Sequence, residues 1–344
     1  MSKYLKYPTI PFRVKKGKKA DQILAEMLAT GFQGKSLAEA FAIWRQMLGE
    51  KKLTIWLGVT GAIVPAGMRR IIAYLIEKRF VDVIVSSGAQ VFHDAAEALG
   101  VTHYRGSPLL DDKALFKEGI DRFYDVLVEE KLQRQVDQMI QAFTKTLSPG
   151  YQYSSREYLY LLGRHLAKKA VNSDSILIQA AKAGVPVFAP ALCDSSIGYS
   201  FVMARREKAF RYVDQMKDTD ETALIAEQAV RSGVIYLGGG IPKNFIQQTP
   251  LISAILGKKA PGHEYAIQIT TDNPHFGGLS GCTFTEAQSW GKVAAQAKMV
   301  QCFCDVTIAL PILAQGLCEV EDLAKKRKKP EFAWSDDGLK VNYR

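Results

Sequence analysis

Residues 53–62 read LTIWLGVTGA, and this stretch decides the architecture. The run from Leu53 to Val59 is almost wholly apolar and too short for a helix, which is the pattern of a strand buried on both faces. It stops at Thr60, Gly61 and Ala62, and a helical period follows from about residue 66 to 78. A buried strand, a small-residue turn and a helix make one βα unit. The same unit recurs down the chain. Residues 81–85 run into Ser86, Ser87 and Gly88; residues 185–190 run into Cys193, Asp194, Ser195 and Ser196. Residues 234–237 run into Gly238, Gly239 and Gly240, residues 265–269 into Thr270, Thr271 and Asp272, and residues 299–304 into Asp305. Repeated βα units predict an α/β fold: a doubly wound, mostly parallel sheet. Residues 111–183 carry helical periods and read as a helical insertion between the second and third strands. Residues 1–50 read as an N-terminal helical or extended arm, 51–320 as a single domain, and 321–344 as a polar tail.

The composition excludes several classes. With 344 residues, 47% hydrophobic and 23% charged, the chain builds a full core and is not disordered. No apolar run approaches the roughly 18 residues of a spanning helix, and the first residues lack a secretory pattern. Five cysteines (193, 282, 302, 304 and 318) form no CxxC pair, so reduced thiols and a cytoplasmic location are expected. Five dispersed histidines (93, 103, 165, 263 and 275) give no reason to expect a metal site. The net charge of +10 is scattered, with dense spots at Lys15 to Lys19 and Lys325 to Lys329. These read as solvated segments, and a nucleic-acid surface is not expected.

In a parallel sheet the strand-end clusters fall along one edge, where α/β proteins bind ligands. Small residues let a ligand approach the backbone, and helix starts offer free N–H groups to phosphate. Neither GxGxxG nor GxxxxGK[ST] occurs, so no standard phosphate motif supports the reading. One lysine stands out by context. Lys292 ends the stretch Thr285-Glu286-Ala287-Gln288-Ser289-Trp290-Gly291-Lys292, after a glycine-rich loop at 276–281. A helix over 285–293 puts Glu286 and Trp290 on one face. A lysine desolvated beside a tryptophan loses its proton more readily and can form an imine, while the ring can hold a cationic amine. The plainer alternative is a surface lysine lying along a packed ring.

These residues resemble the deoxyhypusine synthase family, including its bacterial deoxyhypusine synthase-like and homospermidine synthase members. The resemblance runs from Thr30-Gly31-Phe32-Gln33 to about Gln315. It takes in Gly58-Val59-Thr60, Glu118-Gly119-Ile120-Asp121-Arg122, the stretch from Pro186 to Asp194, Leu237-Gly238-Gly239-Gly240, the stretch from Glu286 to Lys292, and Cys304-Asp305. It implies a Rossmann-like sheet that binds NAD, a homotetramer with active sites at subunit interfaces, and a polyamine donor such as spermidine. It implies a redox-neutral cycle in which an aminobutyl group passes through a lysine imine to an acceptor amine. By the same resemblance Lys292 is the imine-forming residue, and Trp290 and Glu286 belong to the substrate pocket. Asp194, Gly239, Thr271, Ser280 and Asp305 contact the cofactor, with Ser87 and Gly88 at the same edge.

The departures bear on specificity. Tyr199 and Leu279 stand where the family has aspartates, Asn244 where it has a histidine, and His93 where it has a glutamate; Gly61 and Pro65 replace serines. Each lost charged contact to a cationic amine removes about 1.5–3 kcal/mol. The reading is therefore an NAD-dependent aminoalkyl transferase with a small amine as acceptor. The alternatives are a protein-modifying deoxyhypusine synthase acting on a lysine of the initiation factor, and an idle NAD-binding homologue.

Overall fold

The computed structural model describes residues 4–335 and 338–344. Six strands form one parallel sheet: β1 (Leu53–Val59), β2 (Val83–Ser86), β3 (Val187–Phe188), β4 (Arg231–Leu237), β5 (His263–Thr270) and β6 (Val293–Phe303). Their spatial order is β6-β5-β4-β1-β2-β3. This is the doubly wound nucleotide-binding order, in which the winding reverses between β1 and β4 and a crevice opens at the carboxyl ends. All seven residues of β1 are buried, as its apolar run requires.

Strand alternation divides the core. Ile55, Leu57, Val59, Ile235, Leu237, Ile267 and Ile269 face helices Phe32–Gly49, Arg69–Glu77 and Val306–Cys318. Trp56, Val83, Val85, Val234, Tyr236 and Ala266 face helices Gln215–Gln228 and Gly240–Ile255. Gly58 lets the second helix come close: a Cβ there would lie 2.9 Å from the Tyr236 ring and 3.3 Å from Ile246.

Four expectations need correction. The insertion is not wholly helical, because Ile120–Phe123 and Val126–Glu129 pair antiparallel, with Tyr104–Arg105 as a third strand. The run IDRFYDVLVE turns at Tyr124, which takes φ 56°. The arm is extended only up to the helix Ala20–Met27, and Phe32–Gly49 belongs to the core through Phe41, Trp44, Met47 and Leu48. Residues 321–344 are not a tail. Helix Glu321–Lys326 leads into a hairpin of Pro330–Ser335 with Gly338–Tyr343, and Leu339 is buried. Between them Arg327 is fully buried, its guanidinium 2.8 Å from both oxygens of Asp82 and 2.8 Å from the Leu53 carbonyl. One residue of the lysine-rich stretch thus locks the start of the sheet. Finally, the expected helix over 285–293 stops at Ser289. Gly291 takes φ 69°, which ends the helix, and Lys292 leads directly into β6.

Candidate active site

The ends of β1, β4, β5 and β6 enclose a cleft of about 350 Å³ at the switch point. Four residues singled out for a cofactor, Gly239, Thr271, Ser280 and Asp305, meet in its walls, together with Thr60, Gly238 and Asp272. Each glycine of the triplet has its own reason. Gly238 and Gly240 take φ of 81° and 56°, and a Cβ on Gly239 would lie 2.5 Å from Ser280. The Gly240 amide donates to Ser280 Oγ at 2.8 Å, so the loop of residues 277–283 is fastened onto the start of a sixteen-residue helix. Asp305 caps the helix Val306–Cys318: its Oδ1 accepts from the Thr307 amide at 2.7 Å, and the carboxylate is exposed at the cleft.

These residues fit a dinucleotide. The glycine turn brings backbone to the cleft wall, a helix amino terminus opens there, and exposed carboxylates stand at strand ends, where they suit ribose hydroxyls. Ser87, Gly88 and Asp194 form a second group outside this cavity, at the ends of β2 and β3. A Cβ on Gly88 would collide with Ser195, so the two loops interlock. Ser87 caps the helix Gly88–Ala98, and Asp194 is exposed.

Lys292 is 9% exposed, and its amine lies 5.3 Å from the centroid of the Trp290 ring. Its backbone is held between two elements: its amide donates to Ala287 O, and its carbonyl accepts from the His263 amide, both at 3.1 Å. The Trp290 ring is more than half exposed, and Glu286 is exposed one turn earlier. Burial, with the Glu286 carboxylate adding to it, pushes the Cys282 thiol above its usual range. Asn244 is half-buried in the first turn of the helix Gly240–Ile255.

Two substrate candidates lie elsewhere. Tyr199 is about half exposed on the helix Ser196–Arg206, beyond β3. His93 does not line the cleft. It is buried edge-on against Phe123 at 4.9 Å and His103 at 5.3 Å. Burial, and secondarily His103, push it down to about 4, so it is a neutral packing residue at ordinary pH.

Lys243 was not singled out from sequence. It is 1% exposed, and its amine reaches Gln268 Oε1 at 2.8 Å, Ser280 O at 3.1 Å and Cys282 O at 2.5 Å. Burial lowers it to about 8; the charges of Cys282, Glu286 and Asp272 oppose that shift and Lys292 reinforces it. The available signal was a lysine on the helix face that also carries Pro242, Ile246 and Gln247, all buried.

Comparison with known proteins shows the family of the chain. The model of the deoxyhypusine synthase family matches residues 22–317. Over 337 residues the chain is 52% identical to "Probable deoxyhypusine synthase 2" of Methanosarcina mazei, covering 98% of this chain and 97% of that protein. "Probable deoxyhypusine synthase 1" of the same organism is 40% identical over 297 residues, covering 86% and 90%. A crystal structure from Entamoeba histolytica that carries the deoxyhypusine synthase name superposes with a TM-score of 0.62 at 18% identity, over 91% of this chain and 97% of that one, a likeness of fold. The switch-point cleft, the glycine triplet and the buried lysine beside Trp290 therefore sit in a chain that belongs to the deoxyhypusine synthase family.

Proposed function

We propose that this protein is an NAD-dependent aminoalkyl transferase in which Lys292 carries the transferred group to a small amine. The observation that carries the reading is a buried amine beside an aromatic ring, on the segment that follows the cleft's Ser280 loop. Gly239, Thr271, Ser280 and Asp305 would hold NAD in that cleft, and it would supply the two-electron oxidation of the donor amine and the matching reduction of the product. Lys292 Nζ attacks the oxidised donor carbon. A C–N bond to its Nζ forms, the donor's C–N bond breaks, and the remainder leaves as a free amine that takes up the proton. Trp290 offers its ring face beside the reacting amine, and Glu286 offers a carboxylate to a cationic group. The acceptor amine then displaces Lys292 by the same exchange.

The small acceptor is supported by what the pocket lacks. Tyr199 and Leu279 bring no charge, and both are about half exposed. Methanosarcina mazei also has two such proteins, and this chain is closer to the one numbered 2. The site further reads as completed by a second copy in a homotetramer. Tyr199 lies at the β3 end of the sheet, Lys292 at the β6 end, and Trp290, Phe276 and Ile308 are exposed.

Incubation with NAD and a panel of di- and polyamines, then borohydride, should add an aminoalkyl mass to Lys292 and none to Lys292→Ala. An adduct that survives Lys292→Ala, or none with any amine, overturns the reading. Labelling of the initiation factor in place of small amines would favour the protein-modifying alternative, and bound NAD without any absorbance change would favour the idle homologue.

A further inference from the structure

A buried lysine without a carboxylate partner is unusual, because an ammonium leaves water at a large cost unless its protons are all used. At Lys243 they are. Gln268 Oε1, Ser280 O and Cys282 O are three acceptors for the three protons of an ammonium. A neutral amine has two protons and a lone pair, so one of those oxygens would then face no donor. The set is braced from behind. Gln268 Nε2 donates to Gly238 O at 2.9 Å and Ser280 O at 2.8 Å, and Gln301 Nε2 donates to Gln268 Oε1 at 2.8 Å. These bonds join the glycine triplet, β5, β6 and the 280–282 segment. That segment forms the Ser280 wall of the cleft and leads into the helix Phe284–Ser289, which ends three residues before Lys292.

We propose that Lys243 is a positioning residue whose ammonium clamps the 280–282 carbonyls, holding the Ser280 wall against Gly239 and fixing the approach to Lys292. The inference concerns the loop itself; its consequence for cofactor binding rests on the function proposed above. Charged groups facing the amine are Asp272 after β5, Cys282 on the loop, Glu286 on the following helix and Lys292 before β6, with the Phe284 ring 5.7 Å away. Because burial already brings Lys243 to about 8, the clamp weakens as pH rises through that value.

Lys243→Met keeps the length and removes the donors. Amide hydrogen exchange over residues 278–284 should speed up by tenfold or more, with thermal stability preserved because a buried charge is gone. The wild type should lose the same protection between pH 7 and 9, and Lys243→Met should show no such change. Gln268→Leu, which removes one acceptor and no charge, should loosen the same residues and serves if Lys243→Met does not fold. NAD titration should show at least tenfold weaker binding in both variants. Unchanged exchange over 278–284 overturns the clamp, whatever NAD does. If the wild type binds no NAD, the functional reading fails, while the exchange measurement still decides the clamp.

Discussion

At the residue scale, buried ionisable groups shape this chain as much as apolar ones. Asp218 is fully buried on the helix Gln215–Gln228. Its Oδ1 accepts from the Ser155 amide at 2.7 Å, while its Oδ2 has no partner. Ser155 Oγ in turn accepts from the Ala189 amide just beyond β3, so this carboxyl helps to set the edge of the sheet. Burial raises it to about 7, and the nearby Glu221 adds to the shift. The folded state therefore holds a proton that the unfolded chain has released between about pH 4 and about pH 7. Its stabilising share is present at the acid end and is lost as pH rises through that window. Asp218→Asn should abolish this slope. The stability difference between wild type and variant should fall by on the order of 1 kcal/mol for each pH unit, read by denaturation across pH 4.5–7.5. A difference independent of pH would show that the carboxyl is ionised throughout. His93 and His263, both pushed down to about 4 mainly by burial, act in the opposite direction, which is why the difference and not the raw curve is the test.

At the element scale, the C-terminal hairpin shows how an apparently solvated segment becomes structural. Arg327 pairs with Asp82 with both side chains fully buried, and Tyr343 Oη lies 2.8 Å from Thr54 Oγ1. Arg156 lies over the Trp334 ring at 3.9 Å while holding Glu221 through two bonds of 2.7 Å. Arg327→Ala leaves the buried Asp82 with only Arg79 at 3.1 Å and the Ile55 amide at 2.9 Å, so it should lower unfolding stability by roughly 3 kcal/mol. The double variant Arg327→Met with Asp82→Leu should recover part of that loss, because the Arg327 and Asp82 charges are both gone while Arg79 and the Ile55 amide lose a partner. Chemical denaturation distinguishes the two; a double variant as unstable as the single would mean that packing around the hairpin, and not charge, is what was lost.

At the scale of the whole molecule, the switch-point cleft and the groups near β3 stand at different strand ends of one sheet. One copy gathers Gly239, Thr271, Ser280 and Asp305 in the cleft and leaves Lys292, Tyr199, Ser87 and Asp194 outside that cavity. Ile308, 61% exposed, stands three residues beyond Asp305 at the cleft mouth. If a second copy covers this mouth, Ile308→Glu should convert the assembly to smaller species in light scattering and lower transfer by tenfold or more. NAD binding should persist, since the cleft walls come from one chain. A variant that stays assembled and active would remove this face from the interface.

Local sequence determined the strands and their order of appearance. The apolar run of β1 had to be buried on both faces, and the glycine triplet after residue 237 marked the end of a strand. The stretch from Glu286 to Lys292 carried the family likeness by itself. Period alone could not separate the Ile120–Glu129 hairpin from the helices around it, because a short run with few turn residues satisfies either pattern. Nor could sequence say that Arg327, amid lysines, would find Asp82, or that His93 would close on Phe123 and His103 instead of the cleft. Those outcomes depend on which distant side chains the folded sheet brings within a few ångströms. Lys243 is the clearest case: its three acceptors lie 25 to 39 residues away and meet only when β5 and the Ser280 loop close over the glycine turn.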